Sequence, residues 1–304
     1  GTVTYGLCRF ARILAHMLLP LSGVLVPQGS FVFSEKFILL QQESMLTKSS
    51  LCNGLTCLRK ANLGDQHKGL FYTAFFQLSI GIERFLKIIV MLDFMASNDL
   101  KVITDKELKN NYGHKIKDLY AAAKNIADKR GVKNCIFYSE GTEYSILHFL
   151  HEFALSTRYY NLSQLSGNAK GTNPLAEWWD IILFIYWDEI TEKKRHRIQS
   201  EALAFCDANM SNSFTMFHSM SGDIMTELDL ILHPQIIEAS SPHSVWLVIK
   251  ILKPLFRVLI ECQHQVHLME QQKGFNTPDV PYMSELFPFI YTDRQSALRR
   301  KQWN

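Results

Sequence analysis

The sequence predicts an all-α protein, a multi-helix bundle with at most one small β-hairpin near its N-terminus. Three observations carry that expectation. Phe71, Phe75, Leu78, Ile82, Phe85, Ile89 and Leu92 recur at alternating spacings of four and three, the period of one apolar stripe on a helix. After a basic linker, Gly113-His114 opens a second amphipathic stretch in which Ile116, Leu119, Tyr120, Ala123 and Ile126 share a face. The β-prone runs are short: Val24–Val26 and Phe31–Phe33, on either side of Pro27-Gln28-Gly29-Ser30.

Each element has a local reason. Arg9 and Arg12 precede the apolar run Ile13–Val26, superficially like a signal peptide, but His16 and Pro20 interrupt it and it is short for a membrane span. A buried helix and a turn are expected there. Ser34 is placed to cap a helix reaching about Lys48, and Asn53-Gly54 is expected to break the chain. The long helix is expected from near Asp65 to about Ser97, with Glu83 and Lys87 in the favourable order for an intrahelical pair. Thr104 or Asp105 caps a short helix, and the helix opened at Gly113 ends at Gly131.

Glu143–Thr157 reads as a further helix with Ile146, Phe149, Leu150 and Phe153 on one side. The polar, glycine-bearing stretch Ser163–Asn173 reads as a surface loop, and Pro174 suits the first turn of the next helix. Asn209–Ser213 is expected to be a break. Ser240–Pro242 is expected to be a loop before a long helix, Val245–Gln272, kinked at Pro254. The tail carries Pro278, Pro281 and Pro288 and ends in Arg299-Arg300-Lys301. The expected organisation is an N-terminal extension, residues 1–64 (hairpin plus helix), and a helical domain, residues 65–304.

Composition narrows the function classes. With 47% hydrophobic and 20% charged residues, 20 Phe and 11 Tyr, the chain is globular with a large aromatic core. A net charge of +3 tolerates an anionic partner without requiring one. Six cysteines without a C-x-x-C pair read as reduced thiols of a cytoplasmic protein, with no zinc ribbon and no disulfide framework. His148/His151 and His264/His267 each sit three apart on expected helices but lack a third ligand, so no metal and no cofactor is expected. No phosphate-binding loop, nucleophile elbow or dinucleotide-binding glycine pattern is present. Lysines from Lys101 to Lys133, Lys117 among them, and the run Lys193–Arg197 are two basic regions able to meet RNA phosphates or simply to face solvent. Arg158 beside Tyr159 and Tyr160 suits clamping and stacking of a nucleotide, or packing at a helix end.

The succession Ala74–Leu92, Gly113–Ala123 and Phe153–Leu162 resembles the HEPN superfamily of helical nucleotide-binding domains. The E-x-x-x-K helix of that family matches Glu83 and Lys87. Its G-H-x-(L/I)-x-x-L helix matches Gly113, His114, Ile116 and Leu119, and its later Arg-Tyr matches Arg158 and Tyr159. The resemblance spans residues 69–165, with the C-terminal helices expected to pack on that core. It implies a helical bundle, dimerisation and, in many members, RNA cleavage in toxin–antitoxin or antiphage systems; other members bind only nucleotides or proteins. Its catalytic members carry an Arg and, after about four to six intervening residues, a His on one helix, where the cation stabilises a phosphate and the imidazole moves a proton. Two pairs here have that spacing, Arg9/His16 and Arg257/His264. Three functional readings follow, the third being a purely structural helical scaffold. In the first, the protein is a metal-independent endoribonuclease in which Arg257 holds the scissile phosphate and His264 transfers the proton. In the second, it is a non-catalytic module that binds a nucleotide or protein partner through Glu83, Arg84, His114, Lys117, Arg158 and Tyr159.

Overall fold

The structure is a computed structural model that describes residues 33–168, 171–209 and 215–304, with the side chains of 65–67 undescribed. The expected hairpin and the Arg9/His16 pair lie outside the described residues. Among those described, eleven α-helices form a multi-helix bundle: α1 (Glu35–Lys60), α2 (Asp65–Ser97), α3 (Asp105–Asn111), α4 (Ile116–Arg130), α5 (Gly141–Leu155), α6 (Tyr160–Leu165), α7 (Pro174–Glu189), α8 (Glu192–Asn209), α9 (Glu227–Gln272), α10 (Met283–Leu286) and α11 (Arg294–Arg299). Single 3-10 turns lie at Thr157–Tyr159 and Pro288–Tyr291. The described residues hold no sheet, only an isolated antiparallel bridge between His218 and Ile224. None of their helices is long and apolar enough to cross a membrane.

The apolar stripe of α2 is the axis of the bundle. Phe71, Phe75, Leu78, Ile82, Phe85, Ile89 and Leu92 are all buried. They pack against α1, α4, α5 and α9. Phe75 meets Phe149 of α5 edge-on at 4.6 Å and Trp178 of α7 at 5.2 Å, and Phe85 meets Phe287 edge-on at 4.9 Å. Such contacts add to the burial of large apolar surface.

Capping sets several boundaries. The Ser34 hydroxyl accepts from the Phe37 N–H at 3.1 Å to start α1. Thr104 and Glu107 form a reciprocal capping box at α3, and Asn173 caps α7 with Pro174 in its first turn. Gly131 closes α4 in the left-handed conformation, at φ 65°.

Two expected breaks are absent. Helix α1 does not stop near Lys48 but runs through Asn53-Gly54 to Lys60. Gly54 is a packing site instead of a turn: a Cβ there would lie 2.7 Å from Leu78 Cγ on α2. The reciprocal contact is Gly81, whose Cβ would lie 2.7 Å from Leu51 Cδ2 on α1. Each leucine therefore fills the notch left by the other helix's glycine, and the two helices run antiparallel at close range. Ser34–Asn304 form one compact unit.

The second absent break is Ser240–Pro242, which lies within the 46-residue helix α9, as do Pro234 and Pro254. Proline removes the N–H that would bond the carbonyl four residues back. At Pro242 that carbonyl is Glu238; the Ser241 hydroxyl, with one hydrogen to give, lies 3.3 Å from the Arg59 carbonyl and 3.4 Å from that of Glu238. Burial of Ile236, Ile237, Val245 and Val248 on both sides holds the helix through the proline.

One buried acid sits at the end of α9. The Glu270 carboxylate accepts the Asp279 N–H at 2.8 Å and is 3% exposed. Burial, with Asp279 nearby, raises its pKa to about 7.

At an unobstructed helical glycine such as Gly69, where a Cβ meets nothing within 4 Å, alanine should stabilise by about 0.5–1 kcal/mol. Gly54→Ala and Gly81→Ala should do the opposite and destabilise by about 1–3 kcal/mol through overpacking. Denaturant unfolding of the three variants checks the sign; a gain at Gly54 or Gly81 would refute the interlock. For Glu270, the folded state holds a proton that the unfolded chain releases near its ordinary pKa. The associated stability is present below that value and is lost as pH rises to about 7. Glu270→Gln should therefore gain on the wild type by about 1–3 kcal/mol between pH 5 and pH 8. Parallel stability profiles for the two proteins would contradict this.

Candidate nucleotide-binding cleft

Helix α2 has a second face beside its core stripe. Phe76, Ile80 and Arg84 follow one another at spacings of four, with Ser79 and Glu83 alongside, so they share one side of the helix. They form one wall of a cleft of about 280 Å³ whose other walls are His114, Phe153, Ala154 and Arg158.

The turn before α4 brings in His114. Gly113 takes a left-handed φ of 53°, and the Lys115 N–H closes back on the Tyr112 carbonyl at 3.0 Å. A glycine meets that φ without the strain a Cβ would bring. The imidazole Nδ1 then lies 3.0 and 3.2 Å from the two oxygens of Glu83. The Lys87 ammonium donates to the same carboxylate at 2.7 Å. Glu83, 13% exposed, is thus a nearly buried carboxylate shared by one imidazole and one ammonium. It fixes the ring so that Nδ1 faces the acid and leaves Nε2 as the free nitrogen.

The two arginines are held differently. One guanidinium nitrogen of Arg84 donates to both carboxylate oxygens of Glu43, on α1, at 3.1 Å. Arg158 follows α5 in the Thr157–Tyr159 turn and donates to the Ala154 carbonyl, one of the last carbonyls of α5. No carboxylate pairs with it among the described residues. Phe76 and Phe153 stack edge-on at 5.1 Å, and Ile80 is 41% exposed. The cleft therefore combines an apolar wall with two cations and an oriented histidine, an arrangement that accepts a flat ring beside an anion.

The sequence-predicted residues divide accordingly. Glu83, Arg84, His114 and Arg158 line one cleft. Lys117 is not among its lining residues and lies 6.0 Å over the Tyr144 ring; Tyr159 is 60% exposed and also not in the lining. Arg257 and His264 are both exposed on α9, separated by about two turns, or about 10 Å along the axis. The Arg257 guanidinium donates to the Asn134 carbonyl.

Of the other histidines, His267 is held by the Val280 carbonyl at 2.9 Å, while His151 is buried and burial lowers its pKa. Among the described residues no three His, Cys, Asp or Glu side chains are grouped to hold a metal. Sequence reasoning missed Phe76, Ser79 and Ile80, whose signal was a four-residue spacing running parallel to the core stripe. It also missed Glu43, the anchor of Arg84, because α1 was expected to lie outside the helical domain.

Comparison with protein-family models, curated proteins and solved structures finds no match.

Proposed function

We propose that this protein is a HEPN-like, non-catalytic helical module that binds a nucleotide in the cleft of Glu83, Arg84, His114 and Arg158. The observation that carries the reading is the convergence of these four residues, from three separate chain segments, beside the Phe76–Ile80 wall. The nucleobase rests on the apolar wall. The phosphate meets Arg158, whose guanidinium has no carboxylate partner among the described residues, with Arg84 as a further donor. The HEPN resemblance supports the same residues. Arg257 and His264 stand on an outer face of α9 with the arginine engaged by a backbone carbonyl, so the ribonuclease reading is the weaker one.

The test is calorimetric titration with the four ribonucleoside 5′-monophosphates and with inorganic phosphate. At least one nucleotide should bind better than phosphate alone. Loss of a charge-assisted hydrogen bond is worth about 1.5–3 kcal/mol, so Arg158→Ala should weaken binding about tenfold to a hundredfold. Lys117→Ala, Tyr159→Ala and the Arg257→Ala/His264→Ala double variant should bind as the wild type does. Absence of nucleotide binding would overturn the proposal. RNA cleavage that disappears in the Arg257/His264 variant would establish the ribonuclease reading instead.

A further inference from the structure

A second charged feature lies apart from the nucleotide cleft and shares no residue with it. Arg59 and Glu238 line two hollows of about 480 and 410 Å³, which therefore adjoin at that pair and are together called the trough. The first is also walled by Lys194 and Arg197 of α8, the second by Lys60 at the end of α1 and Lys301 in the tail. Three segments distant in sequence thus bring five cations together, facing two carboxylates, Glu201 and Glu238.

The cations are unequally engaged. Arg59 donates one guanidinium nitrogen to the Ser241 hydroxyl at 3.0 Å, and its Nε is buried without a partner. Arg197 lies 3.7 Å from Glu201. Lys60, Lys194 and Lys301 are exposed, and no carboxylate pairs with them among the described residues. Within the Lys193–Arg197 run, Arg195 is engaged elsewhere, donating to the Trp187 and Ile190 carbonyls at 2.7 and 2.6 Å and so joining α7 to α8. Only part of that run is structural, and Lys194 and Arg197 are left to the trough.

We infer that this trough binds the sugar-phosphate backbone of a nucleic acid. Cations repeated along two joined hollows suit a polymer with repeating charge better than a single anion. No Phe, Tyr or Trp lines either hollow, so there is no platform on which bases would stack. Recognition is therefore through phosphates and indifferent to sequence.

The experiment is fluorescence anisotropy of a labelled oligouridylate of about 20 nucleotides with the full chain, over about 50–200 mM salt, a range in which phosphate contacts are strongly screened. Wild-type affinity should fall linearly on a log–log plot, with a slope reduced by about 0.7 for each phosphate contact removed. Lys194→Glu/Arg197→Glu and Lys60→Glu/Lys301→Glu should each weaken binding at least about tenfold and flatten that slope. All four side chains are exposed, so circular dichroism should show the fold retained. Arg158→Ala should bind the oligonucleotide as the wild type does, and the charge reversals should leave mononucleotide binding unchanged. Failure of the trough and failure of the nucleotide cleft are thereby separate results. Wild-type-like binding by both charge-reversal proteins, no binding at the lowest salt, or loss confined to Arg158→Ala would overturn the inference.

Discussion

The interlock of Leu51 with Gly81 and of Leu78 with Gly54 is the constraint on which the arrangement depends. Two helices of 26 and 33 residues can approach this closely only where one side chain is missing opposite each leucine. The glycines cost helix propensity, on the order of 1 kcal/mol each relative to alanine. That cost is offset by complete burial of two leucines and of the stripe around them. The contact also fixes register along the pair. With Leu51 opposite Gly81, the earlier turns of α1 lie beside the later turns of α2, and Glu43 meets Arg84.

Register then determines chemistry. Arg84 is held from α1, Glu83 is loaded by Lys87 and His114, and Arg158 is tethered to a helix-end carbonyl. Glu83, Arg84 and His114 each find a side-chain partner within the protein, while Arg158 has a backbone carbonyl. Of the two arginines in the cleft, Arg158 is the one without a carboxylate partner among the described residues.

Local rules were legible in the sequence where local physics decides. The stripe of α2, the Thr104 cap, the stop at Gly131 and Pro174 in the first turn of α7 all follow from spacing and capping chemistry. Asn53-Gly54 and Ser240–Pro242 read as breaks because their local preferences favour turns, and tertiary packing overrides them. At Gly54 the missing side chain is a docking notch. At Pro242 buried residues on both sides hold the helix through the proline. The polar members of the cleft were legible from motif positions, whereas its apolar wall was not. Phe76 and Ile80 look like ordinary helix residues until α5 is placed beside them.

The most direct measurement is a map of backbone amide resonances during titration with the tightest-binding nucleotide. Binding in the cleft predicts saturating shifts at Ser79, Ile80, Arg84, His114 and Arg158, with Arg257 and His264 unmoved. Shifts centred on Arg257 and His264, with the cleft residues silent, would contradict it.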